Sequence, residues 1–189
     1  MAKHTLIALV EDKPGVLNRV ASLFRRRGFN IESIAVGHTE SPGVSRMTIV
    51  VDGTAALVEQ VRKQLDKLID VVRVSDITDE STVARELALV KVKVTPATRS
   101  EVIQIADIFR ANIVDVASDS VTVEVTGDED KIDSLFRLLR GFGIKEIART
   151  GCIAMTRGVA GPITVEEEKP RREAPRAKRA KSTDEISNL

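Results

Sequence analysis

The residues best placed to do chemistry form one short turn, Glu11-Asp12-Lys13-Pro14-Gly15-Val16-Leu17, with Asn30 further along. The turn opens an apolar-periodic segment. The start of a helix presents free backbone N–H groups and a partial positive charge, so it can hold a carboxylate without a basic side chain. Gly15 would let a ligand approach the backbone closely. Asn30 can donate and accept at once, which suits a zwitterion. Read from the residues alone, the same pattern is also that of an ordinary strand-to-helix turn, with Asn30 marking the helix exit.

Other candidates are poorer. His4 and His38 lie outside any HExxH or triad-like context, and Thr39-Glu40 beside His38 reads as a solvated hairpin tip. There is no GxGxxG, no GxxxxGK[ST] and no clear carboxylate pair. Cys152, in Thr150-Gly151-Cys152-Ile153, is expected to be a buried thiol at a strand end. As the only cysteine it excludes an intrachain disulfide and a Cys-based zinc site. The expectation is a chain with no active site, no metal and no cofactor of its own.

The elements that must carry the turn follow from periodicity. Leu6 to Val10 is a compact apolar run, the mark of a buried strand. From Pro14 to Arg27 the residues Val16, Leu17, Val20, Leu23 and Phe24 recur at helical spacing. Arg25, Arg26 and Arg27 suit the helix end, and Gly28 stops it. Strands are expected over 30–36 and 44–51, a helix capped by Thr54 with Leu57, Val58, Val61, Leu65 and Leu68, and a strand over 70–77. The order repeats: strand 87–94, a helix through Val102, Ile103, Ala106, Ile108 and Phe109 capped by Thr98 or Ser100, strands 112–117 and 121–125, a helix through Ile132, Leu135, Phe136 and Leu139, and a last strand 144–153.

This predicts an α+β chain of two ferredoxin-like βαββαβ domains in tandem, over 3–79 and 86–158, joined by a linker at 80–85. A charged tail at 159–189, rich in Lys and Arg and poor in large apolar residues, is expected to be disordered. In the first unit both strand faces are apolar, Leu6, Ala8 and Val10 alternating with Ile7 and Leu9. The face without helices therefore needs a cover: another sheet, a partner, or the second unit.

Composition narrows the function classes. Of 189 residues, 42% are hydrophobic and 30% charged, with a net charge of +1, which rules out a wholly disordered chain and a global field for nucleic acid. Only five aromatic residues occur, all Phe (24, 29, 109, 136 and 142), and all fall on helices or just past their ends. A sheet that reads RNA stacks bases on strand aromatics, so that role is excluded for the folded part. No segment reaches the roughly 18–20 apolar residues of a membrane span. A cytoplasmic location is expected, without membrane or nucleic-acid partners.

Asp12-Lys13-Pro14-Gly15-Val16-Leu17, followed by Arg26-Arg27-Gly28-Phe29-Asn30-Ile31-Glu32-Ser33-Ile34, resembles the amino-acid-binding ACT domain. The longer string, with Ser45-Arg46-Met47-Thr48-Ile49, Arg85-Glu86-Leu87-Ala88-Leu89-Val90 and Ile108-Phe109-Arg110-Ala111-Asn112-Ile113, resembles the regulatory (small) subunits of acetolactate synthase over residues 3–158. The resemblance implies an N-terminal ACT domain and a C-terminal ACT-like domain. It implies a non-catalytic subunit that pairs with itself through its ACT domains and activates a catalytic (large) subunit. That partner carries thiamine diphosphate, Mg and FAD, and feedback inhibition comes from valine or another branched-chain amino acid. Effector binding would fall, at the interface of the paired domains, to Asp12, Gly15, Val16, Leu17, Asn30 and Ile31. Many relatives have Asn where this chain has Asp12, whose carboxylate would pair the effector's ammonium or repel its carboxylate. The alternative is a stand-alone amino-acid sensor that regulates a transporter or transcription.

Overall fold

The computed structural model describes residues 2–158 and Ile163. The expected disordered tail, Ile163 apart, lies outside the described residues. The first unit runs β1 (Ala2–Glu11), α1 (Val16–Arg27), β2 (Ile31–His38), β3 (Val44–Gly53), α2 (Ala55–Leu65) and β4 (Val71–Asp76). Its antiparallel sheet has the order β2-β3-β1-β4, which leaves β2 at an open edge. Leu6, Ala8 and Val10 of β1 and Met47, Ile49 and Val51 of β3 pack against Val16, Val20, Leu23 and Phe24 of α1 and Val58, Val61 and Leu65 of α2. Both helices therefore cover one face.

The second unit runs β5 (Thr82–Lys93), α3 (Arg99–Ile108), β6 (Asn112–Val116), β7 (Ser120–Gly127), α4 (Glu129–Leu139) and β8 (Ile144–Arg149), followed by β9 (Ile153–Thr156). Its sheet has the order β6-β7-β5-β8. Ala88, Val90 and Val92 pack with Val121, Val123 and Val125 under Val102, Ala106, Ile132, Leu135 and Leu139. The opposite face is mixed. Leu87, Leu89 and Lys91 of β5 stand against Thr126, Glu124 and Thr122 of β7, and Lys91 pairs with Glu146 at 3.8 Å. That face tolerates water.

The first sheet's back face is different, and its cover comes from within the chain. The expected linker at 80–85 is partly strand: Thr82–Arg85 opens β5 and pairs with β9, Thr82 with Thr156 and Arg85 with Ile153. The expected last strand at 144–153 is broken, with Thr150 to Cys152 between β8 and β9. The β5–β9 ribbon lies on the first sheet. Ile7, Ile77 and Ala154 form a buried cluster, with Ala84 and Ile163 against it. Arg46 on β3 donates to the Ala154 carbonyl at 2.8 Å, and the Cys152 N–H donates to Ser33 Oγ at 2.8 Å. Cys152 is half-buried in the connection, not buried in a strand, and burial is the main cause that raises its thiol pKa, with Glu86 and Glu129 adding to it.

One buried carboxylate ties the second unit together. Glu86, 8% exposed, accepts from Arg149 Nε at 2.8 Å and Arg149 Nη2 at 2.6 Å, and from the Gly151 N–H at 3.3 Å. Arg149 also reaches Asp133 at 3.1 Å and lies over the Phe136 ring. Glu86→Ala would leave this guanidinium only Asp133 and strip the Gly151 N–H of its acceptor. It should cost about 2 kcal/mol of unfolding free energy, read by urea denaturation. A loss near zero would show the pair to be dispensable.

Candidate effector site

Each half of the site is held by local chemistry. α1 starts at Val16, after Gly15, which adopts φ +89°. That left-handed conformation strains any residue with a Cβ. Above it is open space, since a Cβ built there meets nothing within 4 Å. No side chain caps the helix. Arg19 N–H closes on the Gly15 carbonyl at 3.0 Å, while Gly15, Leu17 and Asn18 have N–H groups without an acceptor among the described residues. These point out of the first turn, the arrangement that attracts an anion. Arg19 forms an ion pair with Asp70, 8% exposed, and so anchors this turn to the start of β4. The Asp12 N–H donates to the Gly43 carbonyl at 2.8 Å, tying the turn to the β2–β3 hairpin. Val16 is buried and Leu17 is half-exposed.

Asn30 and Ile31 are placed by the other end of α1. Gly28 caps the helix, its N–H donating to the Arg25 carbonyl. Phe29 turns back edge-on to Phe24, ring centres 6.3 Å apart. Asn30 follows, exposed, its Nδ2 donating to Glu32 Oε1 at 2.7 Å. Ile31 packs partly against the core.

The register separates these halves. Val51 pairs with both His4 of β1 and Ile31 of β2, whereas Ser45 pairs with His38 and Val44 with Glu11. Asn30 and Ile31 thus stand level with His4, and the Asp12–Leu17 turn lies just beyond Glu11. Seven residue steps along β1 span about 23 Å, far more than an amino acid. Within one chain, Asp12, Gly15, Val16 and Leu17 come together and Asn30 and Ile31 do not join them.

His38 was not among the expected site residues, yet its Nδ1 lies 3.3 Å from Asp12 Oδ2. Nothing local in the sequence links the two, because the contact depends on the register that brings the β2–β3 hairpin to the end of β1. Among the described residues, no group of His, Cys, Asp and Glu is arranged to hold a metal ion, and no helix is long and apolar enough to cross a membrane.

Paired βαββαβ sheets, the first with a proline-glycine turn opening its helix, are the features of a tandem ACT-type protein. Residues 6–73 match the family model for the "AHAS small subunit-like ACT domain", and residues 85–158 the one for the "Small subunit of acetolactate synthase". The chain belongs to the acetolactate synthase small-subunit family. It is 60% identical over 156 residues to the probable acetolactate synthase small subunit of Archaeoglobus fulgidus, covering 82% of this chain and 98% of that one. It is 54% identical over 157 residues to the acetolactate synthase small subunit of Bacillus subtilis, covering 82% and 91%. The crystal structure of the acetolactate synthase small subunit from Thermotoga maritima superposes with a TM-score of 0.77 at 42% identity, covering 84% of this chain and 99% of that one.

Proposed function

We propose that this chain is the cytoplasmic, non-catalytic regulatory subunit that activates an acetolactate synthase catalytic subunit and makes it sensitive to valine or another branched-chain amino acid. Thiamine diphosphate, Mg and FAD belong to that partner. The observation that carries the effector site is the 23 Å separation just described, about the length of seven strand residues, together with the open edge at β2. Antiparallel pairing of two β2 edges about a twofold axis sets Ile31 of one copy against His38 of the other. Asn30 of the second copy then stands beside the Asp12–Leu17 turn, and two complete sites form per homodimer. An unpaired edge of eight residues also invites such pairing.

In each site the effector carboxylate rests on the N–H groups of Gly15 to Leu17. Asp12 and Asn30 of the second copy hold the ammonium. The side chain fills the space bounded by Val16, Leu17 and Ile31 of the second copy. Inhibition requires the ligand to bind one state of the complex more tightly, a coupling of about 1–3 kcal/mol.

The test is reconstitution. Acetolactate formation by the catalytic subunit is measured with and without this chain, then with valine, leucine and isoleucine titrated in. Stimulation several-fold over the catalytic subunit alone, reversed by one of the three, is the expected outcome. No stimulation and no response would leave a stand-alone sensor as the better reading.

A further inference from the structure

One surface of the first unit has no role so far. The back of its sheet is covered by the β5–β9 ribbon and its β2 edge is assigned to a second copy, which leaves the outer side of α1 and α2. Two adjoining grooves run there, each about 390 Å³. Leu23, Gln64 and Leu68 form part of the lining, with Asn18 and Ser22 toward the other end. The remaining lining is cationic: Arg19, Arg25, Arg26, Arg27 and Lys67.

Arg19 is neutralised by Asp70. Arg25, Arg26, Arg27 and Lys67 have no carboxylate partner among the described residues, and α1 contains no acidic residue at all. In a chain of net charge +1, four uncompensated cations along one groove make a local field that the average hides. Ile69, the residue after Leu68, is 75% exposed.

Part-exposed Leu68 lies in both grooves among the arginines, and a protein partner suits this setting, since the guanidinium fork pairs carboxylates and its planar face covers apolar surface. A nucleic-acid groove would want aromatic platforms, and no Phe lines this one. We propose that the α1–α2 groove docks a carboxylate-bearing surface of the catalytic subunit, the Asp and Glu side chains there pairing with Arg25, Arg26, Arg27 and Lys67. This rests on the subunit reading above.

The experiment uses the full chain and the catalytic subunit of the same organism, with affinity measured by biolayer interferometry. Arg26→Glu/Arg27→Glu/Lys67→Glu reverses the groove, and Arg26→Gln/Lys67→Gln neutralises it more gently. All altered side chains but Lys67 lie at the exposed end of α1, so both variants should keep the wild-type circular dichroism; the reversed one should melt a little lower, because two Glu in the last turn oppose the helix dipole. The reversed variant is expected to bind about 30-fold or more weakly, with the neutral one between. Wild-type affinity should fall between about 50 and 300 mM salt, and the reversed variant's should not.

A folded reversed variant that binds and responds to salt like wild type overturns the groove assignment alone. Should the reversed variant fail to fold, the neutral one decides, and wild-type affinity in it overturns the assignment. If wild type does not bind the catalytic subunit at all, the subunit reading itself falls. Affinity of wild type for RNA or DNA that the reversed variant loses, with catalytic-subunit binding unchanged, overturns the proposed occupant.

Discussion

Replacing Gly15 by Asp is expected to leave a folded chain that still activates the catalytic subunit but no longer transmits inhibition by valine. The substitution acts in two ways that a second variant separates. Any Cβ at φ +89° carries a strain of roughly 1–2 kcal/mol, and Gly15→Ala carries that strain alone. Asp adds a negative charge in the open space where the effector carboxylate would rest on free N–H groups. Placing like charges together in a site built for one of them costs about 2 kcal/mol or more, which is a factor of roughly 30. Gly15→Asp should therefore weaken the effector by well over about 30-fold, and Gly15→Ala by less than about tenfold. Inhibition curves of the reconstituted enzyme and calorimetric titration of the small subunit report this directly. Wild-type sensitivity in Gly15→Asp would remove the turn from the site.

Mixing two inactive variants is expected to restore half of the sites. Asn30→Ala should also weaken effector binding strongly, since a ligand ammonium loses one of its two polar partners. In a homodimer whose sites each take the turn from one copy and Asn30 from the other, a heterodimer of Gly15→Asp with Asn30→Ala has one site with both defects and one intact site. Refolding the two together, with the heterodimer purified by differential tags, should give one tight site per dimer at near wild-type affinity. A site contained within one chain would leave every site defective, and no tight binding would appear. The 23 Å between the halves, about seven strand residues, favours the first outcome.

Much of this architecture is legible in the residues because the signals are local. Gly28 ends α1 as its position after three arginines suggests, and Thr54 caps α2 by accepting from the Leu57 N–H. The clean alternation at Val121 to Val125 marks a strand with one wet face, and Thr122 and Glu124 indeed lie on the more exposed side. Other features depend on partners far away in the chain. β1 extends beyond Leu6–Val10 to Ala2–Glu11 because β3 pairs with all ten residues, polar ends included. Thr98 does not cap α3 with its side chain, because that hydroxyl is engaged with Thr95 instead. Thr82 to Arg85 has no strand pattern of its own and becomes one through β9, some seventy residues later. For the site, the turn was legible from its proline and glycine and from resemblance. That the candidate site lies between paired domains is implied by the resemblance, whereas the distance between its halves and His38 beside Asp12 follow from register, which no single segment encodes.

The twelve residues of β5 have a mechanical consequence. The strand lies against the back of the first sheet at Thr82–Arg85 and becomes a central member of the second sheet from Glu86 on. It contains neither glycine nor proline, so no joint separates the two roles. Arg46, whose guanidinium grips Ala154 of β9, stands opposite Gly37 and Leu9, near the end of β3 that borders the Asp12 turn. A tilt of that end of β3 would reach β9 through this hydrogen bond, and β5 through the β5–β9 pairing. One continuous strand thus joins the two sheets mechanically as well as covalently.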